Sequence, residues 1–492
     1  MNVSPLFFII LLPIIAALFI MAGAAPRRIA GLAALVNFLM VVTLLFFYKP
    51  GAAEHYQFVK TWPILPGYGL NFTLGADGLS LVMLLLATLV TLCAVWATPK
   101  IEKWESGFFA SLLFISAGVI GAFASVDVFF FYAFHELALI PTFLLIGIWG
   151  SGDRQAAAWK ATIYLALGSF VLLIGIIGLY FSAAPGHLRT FDMRGLQELA
   201  KNGALVQKDW VYFLLLFGFG TLISLFPFHS WAPQAYSSAP APAAMLHAGV
   251  LKKFGLYGML RLIVPLFPET MQVYMNLLLV LLLFNIIYIG LVTIAQKKLD
   301  WMLGYSSVMH MGYIFLGVAA SWEVVMSYTG ASILMFAHGL SIAALFALCG
   351  QLRERTGTVE MSQLGGLARK IPVLSLLFGF ATMASIGLPG FANFAGEILV
   401  FFGAFAMGIK SGGLSPYQIA TIVALWGVVI SAVYGLRAYR KVFLGETGVV
   451  NPDMPDLNLG SRAAVILLLI GLMVVGFYPQ PFINLLAPIW LH

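Results

Sequence analysis

Long apolar segments recur along the whole of this 492-residue chain, and they restrict its fold more than any other feature. Hydrophobic residues make up 61% of the sequence and charged residues only 9%, whereas a soluble domain carries roughly 25% charged residues. A helix needs about 20 apolar residues to cross a bilayer, and these segments lack the alternation of a β-barrel strand. The sequence therefore predicts an all-α polytopic membrane protein. We interpret its net charge of +7 as an orientation signal and predict no nucleic-acid partner.

Fourteen membrane spans are predicted from the apolar segments. The first is retained as a span, because Arg27 and Arg28 follow the apolar stretch, whereas the charges of a signal peptide precede it. Residues 186–200 predict a short amphipathic helix at the membrane surface. The predicted spans lie at residues 5–24, 29–47, 78–97, 108–125, 127–149, 160–181, 210–228, 243–262, 273–295, 304–320, 325–350, 371–405, 418–440 and 463–487.

Lysine and arginine are unevenly divided between the loops on the two sides of the membrane. Sixteen of the 26 fall on one side and eight, among them Arg261 and Lys410, on the other. Cytoplasmic loops are enriched in Lys and Arg, so the side with sixteen, which includes the loop 351–370, is predicted to be cytoplasmic. This distribution predicts a multi-pass protein of the bacterial inner (plasma) membrane with both termini periplasmic.

A short internal repeat marks two related segments of the chain. The sequence LLFGF occurs at Leu215–Phe219 and again at Leu376–Phe380, and a proline at span depth follows each copy, Pro227 and Pro389. A proline inside a helix removes a backbone hydrogen bond and interrupts the helix. Paired interrupted spans in two halves are typical of inverted repeats around a translocation site, so the pattern predicts two discontinuous helices beside an ion path.

Sequence motifs for cofactors are missing from this chain. Its two cysteines, Cys93 and Cys349, lie far apart in apolar runs, without the spacing of a zinc or iron–sulfur site. Neither a dinucleotide-binding nor a P-loop glycine motif occurs. We therefore predict no redox centre, metal or cofactor in this chain, so that the energy for any transport comes from another protein.

Ionisable residues inside the predicted spans are the strongest functional signal, because a charge at the bilayer centre is costly and therefore usually functional. Glu136, Lys253 and Glu397 are the leading candidates for a proton path that crosses the bundle in the membrane plane. Lys252 adjoins Lys253. For His310 and His338 the sequence leaves open a purely structural role, as neutral rings that bridge two helices.

Six ordered motifs resemble the M-subunit family of bacterial NADH–quinone oxidoreductase, the antiporter-like subunits of respiratory complex I. The resemblance covers the chain from about residue 75 onward, and the first two spans share only hydropathy with the family. The motifs are FYAFHELALIPTFLLIGIWG (Phe131–Gly150), PFHSWAP (Pro227–Pro233), YSSVMHMGY (Tyr305–Tyr313), AHGLSIAALFALCGQLRERTGT (Ala337–Thr358), EMSQLGGLARKIP (Glu360–Pro372) and ASIGLPGFANFAGE (Ala384–Glu397).

The resemblance implies fourteen helices with two inverted five-helix repeats and broken seventh and twelfth helices. On that basis the chain divides into N-terminal helices 1–3 at 1–107, a first repeat at 108–262, a second repeat at 263–445 and a C-terminal helix at 446–492.

The family's ion-path residues correspond to residues of this chain, with one exception. Its fifth-helix glutamate corresponds to Glu136, its eighth-helix lysine to Lys253 and its twelfth-helix glutamate to Glu397, while His310 and His338 match intramembrane positions. The seventh-helix lysine, which in the family pairs with the fifth-helix glutamate, is replaced by Leu222. Lys252 is then the candidate substitute partner for Glu136.

The resemblance implies a proton-translocating subunit of a complex I-type NADH–quinone oxidoreductase, an enzyme whose electron transfer takes place in other subunits. NADH or another donor, FMN, iron–sulfur clusters and quinone are then expected in partner subunits, and other membrane subunits, the lipid bilayer, and protons or small cations are the partners of this chain. Two alternatives remain open at this point: a subunit of a stand-alone cation/proton antiporter or hydrogenase-type complex, and a structural paralogue that has lost its proton path.

Overall fold

A computed structural model describes residues 4–51, 55–206, 208–408, 413–446, 448 and 455–486. These residues are mostly helical, and ten helices among them are long and apolar enough to cross a membrane. The helices are α1 Pro5–Met21, α2 Pro26–Phe47, α3 Gly78–Ala97, α4 Glu105–Ala124, α5 Val128–Trp149, α6 Arg154–Phe181, α7 Met193–Lys201, α8 Lys208–Ile223, α9 Trp231–Ser238, α10 (residues 241–266), α11 Pro268–Ala295, α12 Leu299–Ala320, α13 Val325–Thr356, α14 Pro372–Ser385, α15 Ala392–Ala406, α16 Pro416–Phe443, α17 Leu459–Phe477 and α18 Gln480–Leu485.

Helix is present within every predicted span. The predicted spans 371–405 and 463–487 each hold two helices separated by a break, and elsewhere the differences lie at the ends. α4 begins at Glu105 and α6 at Arg154, earlier than predicted. Both helices begin near an acidic residue, which favours a helix N-terminus electrostatically: Glu105 lies in the first turn of α4, and Asp153 accepts a hydrogen bond from the backbone nitrogen of Ala156 at 3.2 Å. The amphipathic helix predicted at 186–200 is present as α7, somewhat later in the chain.

Four helices form the interior of the bundle. In the spans of α3, α4, α12 and α13 nearly all residues are buried by the rest of the chain, whereas fewer than half of the residues are buried in the spans of α2, α5, α6, α11, α16 and α17. α13 packs along α15 and against α12 and α10. The residues that carry charge on α10, α12 and α13 are therefore placed in the centre of the molecule, away from lipid.

A β-hairpin that the sequence did not predict follows α2. β1 (Gln57–Leu65) pairs antiparallel with β2 (Leu70–Ala76), with Thr61 opposite Thr73. The second strand leads directly into Asp77, whose carboxylate accepts from the backbone nitrogen of Ser80 at 2.9 Å and so caps α3.

Arg261 corrects one of the sequence predictions. It was counted among the loop residues of the periplasmic side, but it lies inside α10, fully buried, and forms a two-pronged ion pair with Asp77. Burial alone disfavours the Asp77 carboxylate, but the paired guanidinium outweighs burial and lowers the pKa of Asp77. α10 continues to Leu266, past the predicted boundary at residue 262. Lys410 and both chain ends lie outside the described residues.

Candidate ion-translocation site

Two breaks in apolar helices form the framework of the site. α8 ends at Ile223 and α9 begins at Trp231, while α14 ends at Ser385 and α15 begins at Ala392. Pro227 lies in the first break and Pro389 in the second. Non-helical backbone at membrane depth must find hydrogen-bond partners within the protein or in water.

Asn285 of α11 supplies several of these partners in the first break. Its Oδ1 accepts from the backbone nitrogen of Phe226 at 2.7 Å, and its Nδ2 donates to the carbonyl oxygens of Ser224 and Val308, both at 3.1 Å. The amide is fully buried. Sequence reasoning missed Asn285, although a lone asparagine inside an apolar span is a recognisable signal.

Two π-helical turns in α10 lie on either side of its adjacent lysines. The first covers His247–Leu251 and the second Met259–Ile263, with Lys252 and Lys253 just after the first. π-turns inside α-helices widen the backbone and are frequent at functional sites.

Lys253 makes two short contacts in the centre of the protein. Its Nζ donates to the carbonyl oxygen of Ala248 at 2.9 Å and lies 2.8 Å from Nδ1 of His338 on α13. An ammonium group only donates, so when Lys253 is charged His338 accepts through Nδ1 and carries its own proton on Nε2. Among the described residues this Nε2 has no hydrogen-bond partner. Lys253 and His338 thus form a donor–acceptor pair that links α10 to α13.

His310 continues this pair on α12. Its ring centroid lies 5.7 Å from that of His338. Its Nδ1 is 2.8 Å from the carbonyl oxygen of Ser306, and its Nε2 is 3.0 Å from the carbonyl oxygen of Ser385 at the end of α14. A neutral imidazole can donate to only one of two such acceptors, whereas an imidazolium can donate to both. The site can therefore hold a protonated His310.

Glu397 is buried on α15. Its carboxylate packs directly against Gly387 in the second break, where a Cβ atom would overlap Oε2. Two buried tyrosines, Tyr313 and Tyr434, lie within electrostatic range of this carboxylate. Tyr434 also shares a 2.7 Å hydrogen bond with Ser306, the residue whose carbonyl oxygen faces His310. The break between α14 and α15 thus contacts both His310 and Glu397.

Glu136 stands apart from this series. Its carboxylate accepts from the Ser169 hydroxyl and lies 3.4 Å from Nδ1 of His135. The side chain is 38% exposed. It lines a groove of about 280 Å³ between α5 and α6 whose other lining residues, such as Ile140 and Leu165, are almost all apolar. Glu136 therefore lies at the periphery of the bundle, and sequence reasoning missed its partner His135.

Phe254 separates Glu136 and His135 from the central lysine. Its ring stacks on His135, with centroids 4.0 Å apart, and on Phe131, with centroids 4.1 Å apart. Phe254 directly follows Lys253 in α10. The predicted residues are therefore divided: Glu136 lies on one side of these aromatic rings, and Lys253, His338 and His310 lie together on the other.

Leu222 occupies the position of the family's seventh-helix lysine, and Lys252 does not take over that lysine's role as the partner of Glu136. Its Nζ makes no hydrogen bond to any of the described residues, and it lies 5.6 Å from the ring centroid of Tyr236 on α9. Leu222 itself is buried in the apolar core. The alternative partner of Glu136 is His135, its own neighbour in sequence.

Comparison with known proteins places this fold in a well-populated group. Residues 125–437 match a family described as the transmembrane part of NADH:quinone oxidoreductases and Mrp antiporters. NAD(P)H-quinone oxidoreductase chain 4 of Gloeobacter violaceus is 34% identical, over 99% of this chain and 92% of its own length. NADH-quinone oxidoreductase subunit M of Rickettsia felis is 32% identical, over 96% of this chain and 95% of its own length.

Solved structures agree with these relatives. A chain of respiratory complex I from Thermus thermophilus superposes with a TM-score of 0.85 at 28% identity, covering 98% of both chains. A chain of an archaeal membrane-bound sulfane sulfur reductase superposes with a TM-score of 0.83 over 97% of this chain and 76% of its own length. At 22% identity the second likeness is one of fold alone.

Proposed function

This chain belongs to the family of antiporter-like membrane subunits that includes subunit M and chain 4 of NADH–quinone oxidoreductase, and from that premise we propose that it translocates protons as one subunit of a complex I-type assembly. The observation that carries the proposal is the enclosed series Lys253–His338–His310, which ends at the Ser385 carbonyl oxygen beside the second helix break. It holds titratable groups in a deeply buried part of the bundle, where charges are costly and ionisable residues are therefore usually functional.

Proton transfer along this series needs no cofactor. The Lys253 ammonium can pass a proton to Nδ1 of His338, which leaves a neutral amine and an imidazolium; the imidazolium then releases the proton on Nε2. His310 can receive it because carbonyl oxygens at both of its nitrogens stabilise the charged ring. Glu397 completes the route as a proton acceptor beside the second break. Each step moves one proton and leaves the net charge unchanged.

The energy for transport comes from partner subunits. NADH or another donor, FMN, iron–sulfur clusters and quinone would belong to those subunits, as the names of the relatives suggest. Electron transfer there would change the electrostatic environment of Glu136 or Lys253 and so bias proton release. We further infer that the spans form two inverted repeats, each with one broken helix, supported by the breaks at Pro227 and Pro389.

The groove at Glu136 is the expected contact surface for a neighbouring membrane subunit. A carboxylate that is 38% exposed at bilayer depth is unfavourable in lipid. A protein helix that covers α5 and α6 and offers a hydrogen-bond donor or a cation would stabilise it. We propose that the subunit on this side of the assembly supplies that donor.

An antiporter subunit without redox partners is the second candidate, since the family description includes Mrp antiporters. Purification in mild detergent separates the two cases. On the complex I proposal, iron–sulfur proteins and other large hydrophobic subunits copurify with this chain. Copurification of hydrophobic subunits alone, in a preparation that exchanges cations for protons, would favour the antiporter.

The decisive test is the number of protons moved per electron by the intact complex in sealed vesicles. Lys253→Leu should lower this ratio while electron transfer persists, because the central donor is removed. Lys103→Leu, at an exposed lysine of the loop before α4, is the matched control and should leave it unchanged. An unchanged ratio in Lys253→Leu would favour the structural paralogue.

A further inference from the structure

Lys252 and Lys253 are adjacent in α10, but their side chains lead in different directions. Lys253 reaches His338 on α13, whereas Lys252 lies over Tyr236 on α9. Lys252 is 2% exposed, and its Nζ makes no hydrogen bond to any described residue. A buried ammonium without a partner is strongly unfavourable, so Lys252 requires an explanation that the Lys253 series does not provide.

Two histidines beside Lys252 also carry unpaired nitrogens. His247 places Nδ1 3.3 Å from the Tyr236 hydroxyl, and its Nε2 has no partner among the described residues. Nδ1 of His229, two residues after Pro227 in the first helix break, likewise has no hydrogen-bond partner among the described residues. Both rings lie within electrostatic range of Lys252. Buried polar atoms are nearly always hydrogen-bonded to protein or water, so three unpaired nitrogens at one place indicate a hydrated cluster.

Lys252 and Lys253 lie within electrostatic range of each other in a low-dielectric interior, so they do not hold two full charges independently. Like charges at short range repel strongly where water does not screen them, and interacting groups then titrate as a pair. None of the following carboxylates forms its ion pair with Lys252 or Lys253: Asp77, Glu105, Glu136, Asp192 and Asp300. The pair is therefore most stable as one ammonium group and one neutral amine.

We propose that Lys252, with His229, His247 and Tyr236, forms a second, hydrated proton-holding site, and that Lys252 and Lys253 share a single positive charge. This inference rests on the proposed function. The exchange is balanced: a proton leaves the Lys252 ammonium through water and binds the Lys253 amine, so that one lysine is neutral whenever the other is charged. Lys252 thus receives protons on the side of the α8–α9 break, and Lys253 delivers them towards α12 and α13.

The entry side of this site is the start of α6. Lys160, half-buried in that helix, lies within electrostatic range of His229, and the Ser230 hydroxyl donates to that of Tyr164, one turn further along α6, at 3.2 Å. The titratable groups that face the two lysines from the surrounding elements are His229, Tyr236, His247, His310 and His338.

Three variants of the intact complex test the shared charge. Lys252→Leu removes the site, Lys252→Gln does so with a polar side chain in case the first impairs assembly, and Lys252→Arg keeps a charge that cannot be released. We expect all three to lower the proton-to-electron ratio at least twofold while electron transfer persists. Equal ratios for Lys252→Arg and the unchanged protein would overturn the inference, because a merely structural cation tolerates that exchange.

The pH profile of coupled turnover gives a second readout. Without a neighbouring charge, Lys253 holds its proton more tightly, so the profile of Lys252→Leu or Lys252→Gln should shift towards higher pH by about 1 unit or more. Lys103→Leu, which keeps both lysines and lies outside the site, should leave the profile unshifted. An unshifted profile in both uncharged variants would contradict charge sharing.

Failure of this inference is distinguishable from failure of the proposed function. If Lys253→Leu abolishes pumping but every Lys252 variant pumps normally with an unshifted profile, the proton path is retained and Lys252 plays no part in it. If Lys253→Leu pumps normally, the proposed function itself is wrong.

Discussion

At the scale of the residue, one ion pair is buried where α10 meets the start of α3. Arg261 is fully buried with Asp77 as its partner. Arg261→Met should lower the free energy of unfolding by about 3–5 kcal/mol, because it leaves a buried carboxylate unpaired. Denaturation of the purified protein in detergent measures this. Arg194→Met is the control: its ion pair with Asp192 is partly exposed, and its loss should cost less than about 1 kcal/mol.

A double substitution separates the lost pair from lost packing. Asp77→Asn combined with Arg261→Met removes both charges, so it should recover much of the stability that Arg261→Met loses. If the double variant loses as much free energy of unfolding as the two single variants lose together, packing of the arginine rather than its charge explains the loss.

Asp127, at the start of α5, makes a pH-dependent contribution to the stability of the folded state. Its carboxylate accepts from the backbone nitrogens of Phe129 and Phe130, and burial raises the pKa of Asp127 to about 7. Between about pH 4 and pH 7 the carboxyl group is therefore still protonated in the folded state but ionised in the unfolded state. The contribution of Asp127 to stability falls as pH rises through that range.

The variant Asp127→Asn tests this assignment. Asparagine caps a helix about as well as aspartate but does not ionise, so the variant should lose less stability than the unchanged protein between pH 5 and pH 8. Melting temperatures in detergent over this range measure the difference. Asp153→Asn, at the exposed N-terminus of α6, is the matched control and should leave the pH dependence unchanged. Parallel curves for Asp127→Asn and the unchanged protein would contradict the assignment.

At the scale of the element, the break between α14 and α15 positions Glu397. Gly387 adopts φ +75°, and its missing side chain leaves room for the carboxylate. Gly387→Ala should displace Glu397 and lower the proton-to-electron ratio of the complex as well as its stability. Gly357→Ala at the end of α13 is the control, since φ is +69° there with open space around it. It should cost roughly 1–2 kcal/mol of backbone strain and leave the ratio unchanged.

Equal effects of the two alanine substitutions on the ratio would show that backbone strain, and not the position of Glu397, matters for transport. The comparison is informative because both glycines have a similar positive φ, whereas a Cβ atom would meet the Glu397 carboxylate at Gly387 and open space at Gly357.

At the scale of the whole molecule, orientation follows from the distribution of positive charge. With Arg261 inside α10, the bias towards the proposed cytoplasmic side is stronger than the sequence count alone indicated. Ser362→Cys should be labelled only from the cytoplasmic side, and Leu188→Cys, 90% exposed before α7, only from the periplasmic side. Cys93 and Cys349 are buried and should not react. Labelling of Ser362→Cys in intact cells by an impermeant reagent would reverse the topology.

Some features of this protein follow from its sequence without a structure. The positions of the spans do, because a helix in lipid satisfies its own backbone and leaves a continuous apolar run as its signature. So do the candidates Glu136, Lys253 and Glu397, since a charge inside such a run stands out locally. The β-hairpin after α2 leaves no comparable signature, because its short strands gain stability only from packing on the helices.

Contacts between distant residues were decided only by the tertiary structure. Lys253 meets His338, 85 positions later, and Arg261 meets Asp77, 184 positions earlier; neither pairing has a local pattern. The different directions of the Lys252 and Lys253 side chains, and the position of Phe254 between Lys253 and His135, likewise have no local pattern in the sequence. The physical reason is that hydropathy acts along the chain and determines which segments enter the bilayer, whereas the partner of each polar group depends on how the helices pack in three dimensions.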